Sequence, residues 1–414
     1  MTDPGPSPPP EAAPAATTFA GKLALKQRAG GIIVPLVTVI FAFVMSGIIV
    51  AATQHSVHTA LVVFKEIFDG SGLNWIAHPT TNLFNTSAYN LSQTLLQTTP
   101  LILTGLAVAF AFRCGMFNIG GNGQYLVGLL VANWLGVDLA GLNPFVHVLL
   151  CIVAGTLAAA AYAGIAGVLK ATVGAHEVIT TIMLNWIAYW TASWLVGAGG
   201  PLQISNNPTD PVSNQVSPSA RLPDFWGVQG FQGLHVGLFI SLAAVVVFWV
   251  LLNRTTLGYE VRAVGFNPDA AAYGGISVRK NYIRAMAISG AFAGLAGTLD
   301  MLGGAQNYQI GQLDIPFIQV GFIGIAVALL GRNTALGTLL GALLFGGLLY
   351  GSFHGLGSSS VIDPTLATNL TYIIQGLVVL FIGADILILY IWNSRKKLRP
   401  PTAGKTAKPA EAAS

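Results

Sequence analysis

Long apolar stretches separated by short polar connections run along most of this chain. Many of them approach the length of about 20 residues that an α-helix needs to cross a bilayer. The apolar windows predict transmembrane helices at residues 31–52, 91–112, 120–137, 146–169, 178–197, 236–253, 282–302, 317–331, 335–351 and 367–392. The pattern therefore predicts an all-α polytopic membrane protein with about ten transmembrane helices.

Composition agrees with this prediction. Of the 414 residues, 53% are hydrophobic and only 8% are charged, against about 25% charged residues in an ordinary soluble domain. A soluble globular protein is therefore excluded. An outer-membrane barrel would show apolar and polar residues in alternation, and this alternation is missing from the sequence.

The basic residues indicate the orientation of the chain. Arg and Lys in the connections fall mainly on one side of the predicted bundle, at Arg113, Lys170, Arg254, Arg262, Arg279, Lys280, Arg284 and Arg332, while Lys65 and Arg221 fall on the other. Cytoplasmic connections carry the excess of positive charge in membrane proteins. We therefore expect both termini in the cytoplasm. Since these residues form no basic stripe, nucleic acid is not an expected partner.

Both ends of the chain have the composition of disordered tails. Residues 1–29 begin with a segment rich in Pro and Ala, and residues 393–414 combine basic residues with Pro and Ala. Neither segment has enough apolar surface to fold by itself. We expect two disordered cytoplasmic tails around a single transmembrane domain at residues 30–392.

The motifs of enzymes fail on inspection. His176 and Glu177 begin like a zinc-protease helix, but the second histidine is replaced by Thr180. Residues 404–406 resemble the end of a phosphate-binding loop, but Arg399 stands where its first glycine belongs. We predict no catalytic residues, no metal site and no cofactor.

Two polar segments interrupt the apolar spans. Residues 113–124 are rich in Gly and Asn, and they form either a connecting turn or a discontinuous helix that lines a polar pathway. Asn185 lies within another span, where an amide bonds either a neighbouring helix or a ligand. Both segments are candidates for the path of a solute.

Acidic residues are rare in the spans, which makes the exceptions informative. Glu177 at the start of a span either caps the helix or has a functional role. Asp300 lies close enough to the outer end of its span to reach the interface, and Asp385 has apolar neighbours. The three acids form no ladder of the kind that relays protons.

The longest cytoplasmic connection contains a short helix signal. Asn267 is a good N-cap, Pro268 suits the first helical position, and Gly274 with Gly275 ends the helix. The resulting knob either fits a cleft in a partner protein or is a capped loop helix without a partner.

Five motifs carry a resemblance to a known family. They are GMFNIGGNGQ (115–124), EVITTIMLNWIA (177–188), VRAVGFNPDAAAYGGI (261–276), SGAFAGLAG (289–297) and GIAVALLGRNTALG (324–337). Together they resemble permease subunits of bacterial ATP-binding-cassette importers, in the simple-sugar and nucleoside branch of the branched-chain amino acid and ribose permease superfamily. The resemblance runs from about residue 30 to residue 392. At residues 332–335 the sequence departs from the family, where a proline commonly precedes the Leu-Gly pair.

The resemblance implies a multi-pass protein of the bacterial inner membrane that imports nucleosides or related sugars. It implies a second permease subunit, identical or homologous, a cytoplasmic ATPase that hydrolyses ATP on its own chain, and an extracytoplasmic substrate-binding protein or lipoprotein, all assembled in membrane lipid. The residues that it assigns to ATPase coupling are Gly265, Asn267, Ala270, Ala271, Gly274 and Ile276. Those that it assigns to the substrate pathway are Phe117, Asn118, Gln124 and Asn185.

Two other functions compete with this one. A standalone ion-coupled carrier of a small polar solute would need no ATPase, and the scarcity of acids in the spans argues against it. An intramembrane enzyme would need a nucleophile or a metal set that the sequence does not offer.

Overall fold

The computed structural model describes most of the predicted transmembrane domain. It describes residues 19–77, 82–204, 209–224, 231–304, 307–356, 369, 372–374, 376–377 and 380. Most of the predicted last span, residues 367–392, lies outside the described residues, as do Asp385, residues 1–18 of the predicted N-terminal tail and the whole of the C-terminal tail. The first helix begins at Phe19, inside the segment predicted as a tail.

The described chain is helical. Its α-helices are α1 (Phe19–Thr53), α2 (Val57–Gly70), α3 (Asn82–Arg113), α4 (Gly121–Asp138), α5 (Pro144–Val173), α6 (Glu177–Val196), α7 (Gly237–Arg254), α8 (Thr256–Phe266), α9 (Pro268–Tyr273), α10 (Val278–Leu302), α11 (Val320–Leu330) and α12 (Ala335–Gly351). Within the described residues, extended pairing is limited to isolated bridges. The all-α prediction is confirmed.

Six of the described helices are long and apolar enough to cross a membrane. They are α1, α3, α5, α7, α10 and the helix that α12 begins. Helices α4, α6 and α11 coincide with predicted spans, and α11 has only 11 residues. The polytopic membrane fold is therefore confirmed, while the count of about ten spans and the cytoplasmic position of the termini stay predictions.

Helix α10 lies at the centre of the bundle and packs against α3, α4 and α5. Small residues make this approach close. A methyl group added at Gly294 would overlap Cβ of Ala159, and one added at Gly297 would overlap the carbonyl oxygen of Tyr125. Glycines of this kind allow helix backbones to approach within a bilayer. Gly294 and Gly297 therefore pack against α5 and α4 of the same chain.

The connection between α7 and α10 forms two short helices at one end of the bundle. Thr255 caps α8 by accepting a hydrogen bond from the N–H of Gly258, and Asn267 caps α9 by accepting one from the N–H of Ala270 at 3.0 Å. Pro268 occupies the first turn of α9, where a missing N–H costs nothing. The short helix predicted from the sequence is confirmed.

Two loop segments meet at the opposite end of the bundle. The first leads from α6 to α7 and the second from α10 to α11. The N–H of Ser213 donates to the carbonyl of Ile310 at 2.9 Å, and the N–H of Val216 donates to the carbonyl of Tyr308 at 2.8 Å. The guanidinium of Arg221 lies over the ring of Tyr308, 4.1 Å from its centroid. The two segments therefore form one layer across this end.

Candidate functional site

The segment between α3 and α4 passes through the interior of the bundle without helical structure. Asn118 is fully buried, and its Nδ2 donates to Oγ of Ser289 on α10 at 2.7 Å. Ser289 in turn donates to the carbonyl oxygen of Ala107 on α3 at 2.6 Å. Irregular backbone at this depth is stable only where protein groups satisfy it. Residues 114–120 thus form a buried break between two helices.

Three of the four predicted pathway residues lie together at this break. Nδ2 of Asn118 donates to Oε1 of Gln124 at 2.8 Å, and Nε2 of Gln124 donates back to Oδ1 of Asn118 at 3.0 Å. Asn185 on α6 accepts from the N–H of Gly123 at 2.8 Å and donates to the carbonyl of Ile119 at 2.9 Å. The amides therefore satisfy backbone groups at the start of α4.

The fourth predicted residue, Phe117, stands beside this amide cluster. Its ring lies 4.7 Å from the ring of Phe112, centroid to centroid, and it packs on the hydrophobic core. The structure therefore places all four predicted residues around one break in the chain, with the amides bonded and the aromatic ring half-buried.

The start of α11 adjoins the same break. Oδ1 of Asn122 accepts from the N–H of Gly321 at 3.1 Å, and its Nδ2 donates to the carbonyl of Ile318 at 2.8 Å. Both α4 and α11 thus begin inside the bundle, with their N-termini in contact. The N-terminus of a helix carries a partial positive charge and unpaired N–H groups, which makes it suited to polar partners.

A polar cavity of about 620 Å³ lies between this region and the layer of loops. Such a volume falls within the range of about 300–1,000 Å³ that is typical of small-molecule sites. Its polar lining includes Gln93 and Gln97 from α3, Gln319 before α11, and His235 before α7. Another cavity, of about 390 Å³, is mainly apolar and lies beside the end of α4.

Asp300 lines the polar cavity and is buried, with 6% of its surface exposed. Its Oδ2 accepts a 2.5 Å hydrogen bond from the hydroxyl of Tyr125, which also lines the cavity. The sequence suggested that Asp300 reaches the membrane interface, whereas the structure turns its carboxyl group inward. Acids within spans commonly face a cavity, and this tendency could have predicted the inward direction of Asp300 from the sequence. No sequence pattern singled out Tyr125, His235 or the three glutamines.

The segment predicted to couple to an ATPase lies at the opposite end of the bundle. Asn267, Ala270 and Gly274 are exposed, whereas Ala271 is buried and both Gly265 and Ile276 are half-buried. The exposed residues surround α9, and the others attach it to the bundle.

Two large aromatic side chains flank α9. Phe266 is 96% exposed and Tyr273 is 98% exposed. Neither ring packs against the rest of the described chain, so this end presents an apolar surface beside a capped helix.

Gly265 connects this surface to the break in the bundle. A side chain at Gly265 would overlap the carbonyl oxygen of Arg113, and one at Gly115 would lie 3.2 Å from Cα of Gly265. Gly115 has a φ of +73°, which a larger residue rarely adopts. The backbone of α8 therefore rests directly on the first residues of the break.

Metal-ligating side chains do not cluster in the part of the chain that the structure describes. No group of three His, Cys, Asp or Glu residues among the described positions has the geometry to hold a metal ion. Glu177 begins α6 and forms an ion pair with Lys170, with 2.8 Å between Nζ and Oε2. Its carboxylate therefore has a structural partner at the helix start.

Comparisons with known proteins give consistent results. The guanosine ABC transporter permease protein NupP of Bacillus subtilis is 36% identical over 90% of this chain and 98% of its own. The nucleoside permease protein NupB of Lactococcus lactis is 31% identical over 92% and 98%. The glucose permease protein TsgB13 of Haloferax volcanii is 34% identical over 84% and 86%.

No solved structure matches the chain. A family model described as the permease component of branched-chain amino acid transport systems matches residues 90–383, which is more than half of the chain. This protein, a multi-pass protein of the cell membrane, therefore belongs to that family of ABC transporter permeases.

Proposed function

We propose that this permease subunit moves nucleosides, or related simple sugars, into the cell. Membership of the permease family makes the chain a transport subunit, with ATP hydrolysis on a separate chain. Its relatives, named as guanosine, nucleoside and glucose permease proteins, support a nucleoside or sugar as the solute. The polar lining of the 620 Å³ cavity also supports a neutral, hydroxyl-rich solute.

The proposal includes three partners. A cytoplasmic ATPase binds α9, a second permease subunit completes the path, and an extracytoplasmic binding protein or lipoprotein delivers the solute. The coupling segment consists of Gly265, Asn267, Ala270, Ala271, Gly274 and Ile276. Its exposed members Asn267, Ala270 and Gly274 contact the ATPase, and the other three hold α9 on the bundle. Exposure of α9 and of its flanking aromatic rings supports this docking surface.

The observation that carries the coupling mechanism is the contact between Gly265 and Gly115. In this proposal, closure of the ATPases moves α9, and α8 moves with it as a rigid helix. Because α8 rests on residues 114–120, that motion shifts the break between α3 and α4. Closure of the ATPases thereby changes the side of the membrane to which the cavity opens.

The same mechanism gives the predicted pathway residues a role. Phe117, Asn118, Gln124 and Asn185 form the closed part of the path, between the polar cavity and the cytoplasm. The hydrogen bonds of the three amides support this closed state. Asn118 and Gln124 bond to each other, and Asn185 bonds to the backbone of Ile119 and Gly123, so each amide already has a protein partner. Opening exchanges those bonds for bonds to solute and water, which keeps the amides satisfied throughout.

Copurification from the native membrane tests the docking surface. The tagged chain is solubilised gently and its bound partners are identified, for the wild type and for Ala270→Arg. We expect a cytoplasmic ATPase with the wild type and its loss from Ala270→Arg, because the larger cation obstructs the exposed face of α9. Ala270→Ser keeps the small volume and should retain the ATPase.

A second control places the same charge elsewhere. His176 is exposed beside the start of α6 at the same end of the bundle, so His176→Arg should also retain the ATPase. ATPase binding that survives Ala270→Arg would contradict the docking assignment. A chain that purifies alone, and whose uptake collapses with an ionophore, would instead be the ion-coupled carrier.

A further inference from the structure

We propose that the polar cavity beside Asp300 binds the ribose of a neutral nucleoside, with Asp300 accepting hydrogen bonds from the two adjacent hydroxyl groups. The same cavity rejects phosphorylated nucleotides. This inference rests on the proposed import of nucleosides and assigns the recognition of the solute to particular residues.

The carboxyl group of Asp300 has unused capacity to accept hydrogen bonds. Its Oδ2 accepts from the hydroxyl of Tyr125, while Oδ1 has no partner among the described residues. A buried carboxylate without sufficient donors is unfavourable, so a bound ligand that supplies them is stabilised. Adjacent sugar hydroxyls supply two donors at the spacing of one carboxylate, as in dinucleotide sites where an acid binds the ribose.

His235 complements this acceptor with a donor. Its Nδ1 accepts a hydrogen bond from the N–H of Gly237 at 3.1 Å, which leaves the proton of the neutral ring on Nε2. None of the described residues accepts from Nε2, and the ring lines the cavity while remaining 2% exposed. In this proposal a hydroxyl group of the solute donates to Asp300 and accepts from the Nε2–H of His235.

The remaining lining suits a nucleobase. Gln97 and Gln319 offer amide donors and acceptors, and Tyr308 offers an aromatic ring. Amides pair with the edges of a base, and rings stack on its face. A planar heterocycle joined to a sugar therefore uses both the amide wall and the acidic wall.

Charge provides the selection against nucleotides. The described lining contains three carboxyl groups, those of Asp224, Asp300 and Asp314, and it contains no Lys or Arg. A phosphate group entering this lining would meet like charges, while the guanidinium of Arg221 lies over the ring of Tyr308 and is not itself part of the lining. The negative charge of the lining therefore excludes phosphorylated solutes.

Uptake of labelled solutes tests the assignment in the native organism, where the chromosomal copy is replaced by each variant and all partners are present. The solutes are guanosine and 2′,3′-dideoxyguanosine, with guanosine monophosphate and glucose as competitors. For the wild type we expect a KM about tenfold or more higher for the dideoxy solute, since it has lost hydrogen bonds to a charged group. Neither excess guanosine monophosphate nor excess glucose should lower guanosine uptake.

Asp300→Asn should bring the ratio of the two KM values to within about twofold, because the carboxylate that distinguished the solutes is gone. Asp138→Asn makes the same change on an exposed acid at the end of α4, outside this cavity, and should keep the wild-type ratio. Tyr125→Phe, which removes the hydroxyl that positions Asp300, should lower the ratio as well. That variant decides the test if Asp300→Asn does not accumulate in the membrane.

Several outcomes would overturn the inference. A ratio that stays at the wild-type value in Asp300→Asn would show that Asp300 has only a structural role. Strong competition by glucose would assign the hydroxyl contacts to a hexose, and competition by guanosine monophosphate would refute the charge selection. If the wild type binds its ATPase but imports no nucleoside, the proposed solute fails as well. If it imports guanosine and the ratio is unaffected, this inference alone fails.

Discussion

Asn122 caps a helix that begins almost 200 residues later: its Oδ1 accepts a 3.1 Å hydrogen bond from the N–H of Gly321. Its Nδ2 donates to the carbonyl of Ile318, so one amide satisfies both a donor and an acceptor at the start of α11. Since α4 begins at Gly121, the same residue belongs to the first turn of one helix and caps another. The two helix starts are therefore held together by a single side chain.

Asn122→Ala should destabilise the chain by about 1–3 kcal/mol, because the N–H of Gly321 is buried and loses its acceptor. Thermal unfolding of the purified protein in detergent micelles measures the change. Asn143→Ala is the matched control, since Asn143 caps α5 at an exposed position by accepting from Phe145, and should cost about 1 kcal/mol or less. Equal shifts for the two variants would contradict a special role for the buried cap.

Local sequence patterns predicted the elements of this fold but not their meeting points. The caps and the proline of α9 lie within seven residues of one another, so Asn267 and Pro268 were sufficient to predict it. The glycine-rich segment at residues 113–124 left a turn and a broken helix equally open. The structure that this segment adopts depends on Ser289 and Asn185, which are distant in sequence and approach it only in the folded bundle.

The cavity shows the same limit. Asp300 stood out in the sequence as an acid within a span, but its direction depends on the rotation of α10 against α4, which brings Tyr125 to its carboxyl group. His235 had no local signal at all, since a lone histidine in a loop carries no pattern. Hydrophobic periodicity predicts where a helix lies and leaves the contents of an internal cavity undetermined.

Close helix packing should make α10 sensitive to a single methyl group. Gly294→Ala adds a carbon that overlaps Cβ of Ala159, so α5 and α10 must separate. We expect destabilisation by about 1–3 kcal/mol and a lower yield of folded protein in the membrane. Gly164→Ala on α5 is the control, because nothing lies within 4 Å of the added carbon there. Fluorescence-detected size-exclusion chromatography compares the yield of folded protein between the two variants. A similar loss of yield for Gly164→Ala would contradict the packing argument.

The burial of His235 should make stability dependent on pH. Burial lowers its pKa to about 4, against a weaker opposing effect of the Asp224 carboxylate. Its contribution to stability is fully present above the ordinary pKa of about 6.5 and is lost as the pH falls toward 4. Between pH 7 and pH 5 the loss amounts to about 2 kcal/mol.

The variant His235→Asn isolates that contribution, because the amide oxygen can still accept from the N–H of Gly237. We expect the change in unfolding free energy between pH 7 and pH 5 to become smaller by about 2 kcal/mol than in the wild type. His176→Asn, at an exposed position, should leave the wild-type dependence intact. An unchanged pH dependence in His235→Asn would show that other groups cause it.

The exposed rings beside α9 should act as anchors for the ATPase. Phe266→Ala and Tyr273→Ala each remove an aromatic side chain that is almost fully exposed in this chain. Central aromatic residues of interfaces commonly contribute about 2 kcal/mol or more, so we expect the copurifying ATPase to decrease about tenfold or more. Tyr259→Ala is the control, since Tyr259 is 64% exposed on α8 and lies outside the proposed docking segment. ATPase binding retained by both anchor variants would move the interface elsewhere.

Gly265→Ala should separate docking from transport. The added carbon overlaps the carbonyl oxygen of Arg113, so α8 is displaced from the break at Gly115 while α9 and its aromatic rings stay exposed. We expect the ATPase to copurify at the wild-type level and nucleoside uptake to fall about tenfold or more, since the motion of α9 no longer reaches residues 114–120. Phe266→Ala, by comparison, should lose both. If Gly265→Ala transports normally, coupling does not run through this glycine contact, and the buried amides at the break must respond to the ATPase by another route.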